Sequence, residues 1–170
     1  DARPGGHYAG VIFKPVNTLG ILGTGASVET QVGSLFYVSV NGPIVELSQI
    51  TKLAAFPFSE YGPISIQTQI KNLGDLHIKP QGTLTIKDML GRTLKTEKLN
   101  EVNIFPTAAR DYQNSFGEKF MIGRFKADLI ASYGKNNNLP LVASVYFWVF
   151  PWKLALIVIL VIVAMILGIQ

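Results

Sequence analysis

Apolar and polar residues alternate with the two-residue period of a half-buried strand along most of this chain. In Ile64–Lys71 the alternation puts Ile64, Ile66, Thr68 and Ile70 on one side. Thr83–Lys87 repeats it through Leu84 and Ile86, and Asp88-Met-Leu-Gly91-Arg92 supplies a turn into Thr93–Leu99. Val102 and Ile104 form another short run that stops at Pro106. Arg124–Ala131 points Phe125, Ala127, Leu129 and Ala131 inward and Arg124, Lys126 and Asp128 outward. In the last run, Leu141–Phe150, Phe147 and Val149 share the inner face with Val145, and Tyr146, Trp148 and Phe150 take the outer one. Asn72–Asp75, Pro80–Gly82 and Gly134–Asn138 read as turns between these runs. No segment before Pro151 holds a helical period for three turns. The pattern predicts a mainly β protein built on an antiparallel sandwich.

The alternation then ends. Leu154–Ile169 is sixteen residues without a charge or amide, and twelve of them are Leu, Ile or Val. A helix apolar on every face predicts a C-terminal transmembrane helix over 151–170. Sixteen residues rise only about 24 Å, against a hydrocarbon core of about 30 Å. Either flanking residues extend the span, or the chain is cut before its far end. Pro151 suits the first turn of a helix. Trp148, Trp152 and Lys153 suit a membrane interface. The expected partner is a lipid bilayer, and the expected location is the cell membrane, single-pass, with the sandwich outside by analogy with tandem surface sandwiches.

One hairpin is written twice. Gly6–Phe13 lies over Gly123–Ile130, with an aromatic residue two positions after each Gly. A polar loop follows each copy, and then an apolar strand: Leu35–Val40 in the first, Ser144–Val149 in the second. Residues 1–42 are therefore expected to be the terminal strands of a truncated upstream sandwich, and 43–150 an Ig-like sandwich that opens with Ile44–Phe56. The chain begins at Asp1 rather than Met, which reads as a processed product or fragment.

Composition narrows the chemistry. Fifteen Lys and Arg give a net charge of +4, and no three are consecutive, which argues against a nucleic-acid surface. With no cysteine there is no disulfide, thiolate metal site or Cys nucleophile. His7 and His77 fall in different predicted domains, His7 facing solvent and His77 in a loop. Neither they nor the scattered Asp75, Asp88, Asp128 and Glu101 form a metal motif. Ser34 and Ser115 lack a nucleophile elbow. Gly20-Ile-Leu-Gly-Thr-Gly25 lacks the Lys-Ser/Thr of a phosphate loop and sits at a hairpin tip. Its apolar residues Leu19, Ile21 and Leu22, together with Tyr146, are the candidate partner contacts. No enzyme, metal or cofactor is expected.

Four short motifs carry a resemblance. Asp1-Ala-Arg-Pro-Gly-Gly-His-Tyr-Ala-Gly-Val-Ile12 resembles the late-strand motif of the peptidoglycan-binding domain in WxL-interacting proteins of Gram-positive surfaces. Asn72-x-Gly74, Ile104-Phe-Pro106 and Gly123-x-Phe125 are similar to the Ig-like domain that follows it in that family. The chain departs at Pro106-Thr-Ala-Ala-Arg110, where the family pattern has Pro-Asn-Ser. The resemblance implies a bacterial surface module without catalysis that supports adhesion or cell-envelope binding. A cell-wall polymer or another surface protein would be its partner, and no binding residue carries over. The alternatives are a structural stalk that self-assembles into homo-oligomers, or an accessory domain of an envelope enzyme whose catalytic part lies upstream.

Overall fold

The computed structural model describes residues 2–14 and 31–168. They form strands β1 (Gly5–Phe13), β2 (Val32–Val40), β3 (Ser48–Ala55), β4 (Phe58–Ser59), β5 (Ile64–Asn72), β6 (Gln81–Lys87), β7 (Thr93–Lys98), β8 (Ala109–Phe116), β9 (Gly123–Tyr133) and β10 (Leu139–Val149), then helix α1 (Trp152–Gly168). β3–β5–β8 make one sheet and β4–β10–β9–β6–β7 the other, while β1 and β2 pair only with each other. All pairings are antiparallel except the short β4–β10 contact. The chain crosses between the two larger sheets at β3–β4, β4–β5, β5–β6, β7–β8 and β8–β9, the neighbour pattern of an immunoglobulin-type sandwich.

The core follows from the alternation. Ile64, Ile66, Thr68 and Ile70 of β5 are all buried, facing Leu84 and Ile86 of β6 and Phe125, Ala127 and Leu129 of β9. Phe147 is 0% exposed and packs against Phe125 (centroids 5.6 Å) and Phe116 (6.3 Å). Burying each such ring contributes about 1.5–3 kcal/mol. Tyr146, Trp148 and Phe150 stay exposed on the opposite side, as the period requires.

Four readings are corrected. Among the described residues, no helix is long and apolar enough to cross a membrane. α1 has 17 residues, a rise of about 26 Å against a core of about 30 Å. This overturns the transmembrane helix and the single-pass membrane location, and the assignment of Trp148, Trp152 and Lys153 to a bilayer interface loses its basis. The run through Val102 and Ile104 is not a strand but a single bridge, Ile78 to Ile104. β8 was not expected. Its inner residues are Tyr112 and Phe116, and the polar Asn114 between them breaks the apolar count. Asp128, an outward position, is nonetheless 7% exposed because its neighbours close over it.

α1 follows β10 after two residues. Pro151 accepts the first helical bond, from the Ala155 N–H (3.1 Å), and Lys153 pairs with Glu60 (2.8 Å). None of its residues is buried.

Candidate binding surfaces

The β1–β2 hairpin meets the sandwich through four rings. Tyr8 and Tyr37 are register partners across the hairpin. Tyr8 packs edge-on to Phe105 (4.7 Å), and Tyr37 stacks on the same ring (5.9 Å) and contacts His77 (5.4 Å). The Tyr8 hydroxyl accepts the His77 backbone N–H (2.8 Å) and lies 3.2 Å from His77 Nδ1. With the hydroxyl donating to Nδ1, Nε2 carries the ring proton, an assignment made from this network. Burial pushes the Tyr8 hydroxyl pKa up, with the His77 N–H pulling the other way and the neighbouring Tyr37 adding to the rise. The hydroxyl therefore remains a donor through the neutral range.

The loop that presents His77 is set by Asn72. Its Nδ2 donates to the carbonyls of Leu76 (2.7 Å) and Ile104 (2.9 Å), and its Oδ1 accepts the Gly74 N–H (2.9 Å). Such a turn is built into Asn chemistry. A Cβ on Gly74 would stand 2.5 Å from the Val45 carbonyl oxygen, so glycine is required. Asp75 then takes the Gly6 N–H on its own carbonyl (2.8 Å) and the Val45 N–H on its carboxylate (2.7 Å). Ile104 is buried in the sandwich core and the next residue, Phe105, meets the hairpin. Thus Gly6-x-Tyr8, Asn72-x-Gly74 and Ile104-Phe-Pro106 converge on one junction. Just after Pro106, Thr107 holds φ at 66°, a region that a β-branched residue rarely enters.

Beside this junction lies a cleft of about 460 Å³, lined by Val40, Gly42, Ile44, His77, Lys79 and Lys135 among others. Its polar rim is knitted together: Lys79 pairs with Glu101 (2.9 Å), Gln81 bonds Glu101 (3.1 Å) and Asn137 (2.9 Å), and Glu46 accepts the Lys135 N–H (2.9 Å). Such a rim offers hydrogen-bonding groups to a ligand rather than an unpaired reactive one.

The second surface is the outer face of the five-stranded sheet. Register sets Tyr146 beside Lys126, which has Lys87 on its other side, Trp148 beside Arg124, and Ser144 beside Asp128, which has Thr85 on its other side. Asp128 takes Ser144 Oγ–H (2.7 Å), Lys126 Nζ (2.7 Å) and Lys87 Nζ (3.3 Å). Burial pushes its carboxyl pKa up, but these hydrogen bonds and the Lys126 charge outweigh that and hold it below the ordinary carboxylate value. The Arg124 guanidinium lies over the Tyr146 ring (4.3 Å) and Lys126 Nζ lies 5.8 Å from the same ring.

Of the residues singled out from sequence, Tyr146 and Trp148 are brought together on this face, both half exposed. Trp152 and Lys153 lie at the base of α1, where Lys153 Nζ sits 5.6 Å over the Trp152 ring. Leu19, Ile21 and Leu22 lie outside the described residues. His7 is exposed, its Nε2 2.8 Å from the Arg3 carbonyl. Among the described residues, no three His, Asp or Glu are placed to hold a metal ion. Sequence reasoning missed Tyr8, Tyr37 and Phe105 as a unit, and Arg124 and Lys126 as partners of Tyr146. Pairing the two long strands in register would have found the second group.

No protein-family model and no curated protein matches the chain. Among solved structures, the chain is similar to the X-ray structure of Northeast Structural Genomics Consortium target SoR45. The identity is 14%, over 63% of this chain and 85% of that one, with a TM-score of 0.40.

Proposed function

We propose that this chain is a non-catalytic recognition module of a bacterial surface protein, related to the WxL-interacting proteins. An Ig-type sandwich and a docked hairpin together form a platform for a cell-envelope polymer or another surface protein. The observation that carries this reading is the junction: the Tyr8 hydroxyl, held at the His77 N–H and Nδ1 inside a four-ring cluster, fixes the hairpin on the sandwich. Three of the four motifs behind the resemblance build it, and Gly123-x-Phe125 lies in β9 of the sandwich. Conformational freedom removed in advance is not lost again on binding, which favours recognition. Cosedimentation of the purified chain with insoluble cell-wall material tests the proposal. The chain is expected in the pellet, with Tyr8→Ala weakening the association; a chain that stays wholly in the supernatant counts against it.

A second reading, a self-assembling structural subunit, draws support from α1, whose apolar side chains are exposed all round. Light scattering distinguishes the two, since a strictly monomeric chain opposes assembly.

A further inference from the structure

The outer face of β6, β9 and β10 carries more than solvent-exposed strand residues. A depression of about 280 Å³ opens there, lined by Lys87, Asp88, Met89, Arg124, Lys126 and Tyr146. Both carboxylates around it are engaged within the fold. Asp88 holds its own turn through the Leu90 and Arg92 N–H groups (both 2.9 Å) and pairs with Arg92 Nε (2.7 Å). Asp128 sits between Lys87 and Lys126. Four cations (Lys87, Arg92, Arg124, Lys126) thus face two carboxylates, and the local charge is positive. Among the described residues Arg124 has no carboxylate partner. Its guanidinium carbon lies 4.3 Å from the centre of the Tyr146 ring, a cation–π contact that holds the head group over this sheet face.

We propose that this depression binds the phosphate groups of an anionic polymer, with Arg124 as the anchor, Lys126 as the second cation and Tyr146 as the platform that holds Arg124. The assignment names a ligand class and a site for the envelope-binding reading above and rests on it. Charge complementarity selects an anion. The anion is a phosphodiester, whose two non-bridging oxygens splay from a tetrahedral centre so that one meets the Arg124 fork and the other a lysine, and a carboxylate polymer is the alternative the test separates. A polymer is favoured over a lone ion because the site is an open sheet face whose cations repeat along the strand. Arg124 and Lys126 stand two residues apart, about 6.8 Å, and Trp148 and Phe58 extend the row as adjacent apolar neighbours. A nucleic acid is disfavoured, because so few cations, half of them neutralised, make a poor electrostatic track for its backbone.

The test measures binding of the full chain to synthetic poly(glycerol phosphate), hyaluronate and an oligo-dT strand, and its cosedimentation with cell wall before and after phosphate polymers are stripped. The expected result is binding to poly(glycerol phosphate) that weakens about tenfold between 50 and 200 mM salt. It should weaken about tenfold in Arg124→Gln and less in Arg124→Lys, which keeps charge but loses the fork. Lys52→Ala, on the opposite sheet, should bind as the parent does, and circular dichroism should show all three variants folded. Equal binding by Arg124→Gln overturns the proposal; equal binding of hyaluronate overturns the phosphate assignment, and tighter binding of oligo-dT replaces it with a nucleic acid. If the chain sediments with stripped and unstripped wall alike, whatever stands at position 124, this site falls and the platform reading survives. If it binds poly(glycerol phosphate) through Arg124 but no wall at all, the platform reading falls and the site survives.

Discussion

The two hairpins of this protein start from nearly the same pattern and end in opposite environments. In β9–β10, the strand after Gly123 is gripped by β6 on its other edge, and the β3–β5–β8 sheet covers its inner face. Leu129 and Phe147 are fully buried there. In β1–β2, the corresponding residues Ile12 and Val38 are 65% and 55% exposed. Each strand pair is in register along its whole length, so backbone pairing does not account for the difference. What differs is whether a second layer lies over the apolar face, and an isolated two-stranded ribbon is marginal without one. The hairpin instead holds on through one patch of rings and the Gly6–Asp75 bond.

The contrast can be broken most severely in the sandwich. Phe147→Ala should cost about 3–5 kcal/mol in urea or guanidinium unfolding, whereas Val38→Ala at the matching position should cost under about 0.5 kcal/mol. Similar losses at both sites would mean the hairpin is covered as the sandwich is. Next in size is Asn72→Ala, which removes the side-chain bonds to the Leu76 and Ile104 carbonyls and to the Gly74 N–H, the Ile104 carbonyl keeping only the Ile78 N–H. A cost of about 2–3 kcal/mol is expected, together with looser hairpin amides in hydrogen exchange. Unchanged exchange in β1 would show that the loop does not hold the hairpin. Tyr8→Phe keeps the ring packing and removes only the hydroxyl, so it sharpens the comparison. A loss of about 1 kcal/mol should appear as faster exchange confined to β1 and β2, with β9 and β10 untouched.

The smallest effect concerns charge on the sandwich's outer face. The Asp128 carboxyl has its folded pKa below the ordinary value, so the unfolded chain binds its proton at a higher pH than the folded one. Its contribution is therefore complete above the unfolded value near 4 and is lost as pH falls through the lower folded value. Asp128→Asn should remove about 1 kcal/mol at neutral pH, a modest figure because the two lysines stay partly solvated. The variant should also flatten the acid side of the stability profile. A parallel shift at all pH values would assign the loss to packing.

Particular residues show how far the sequence could be read. Ile64, Ile66, Thr68 and Ile70 were legible because a two-residue period has only one inward solution. Asn114 hid β8 because a polar residue on the inner face interrupts the signal between Tyr112 and Phe116. Gly6-x-Tyr8, Asn72-x-Gly74 and Ile104-Phe-Pro106 were visible as motifs, but nothing local says that they meet, since Tyr8 lies 69 residues from His77 and 97 from Phe105. Arg124 and Lys126 read as outward residues of a strand, and their relation to Tyr146 is a matter of register. Composition reports how apolar the tail is, whereas what a helix can cross depends on its length, 17 residues for α1 among the described ones.

The chain by itself determined which faces of its strands are apolar, where its turns fall and that one helix closes the run, because side-chain alternation and glycine or asparagine turn chemistry are local. Tertiary structure alone decided which hairpin acquires a covering sheet, which loop receives the Tyr8 hydroxyl and which cations share a ring. Those outcomes depend on long-range pairing, where a neighbour in space is seldom a neighbour in sequence.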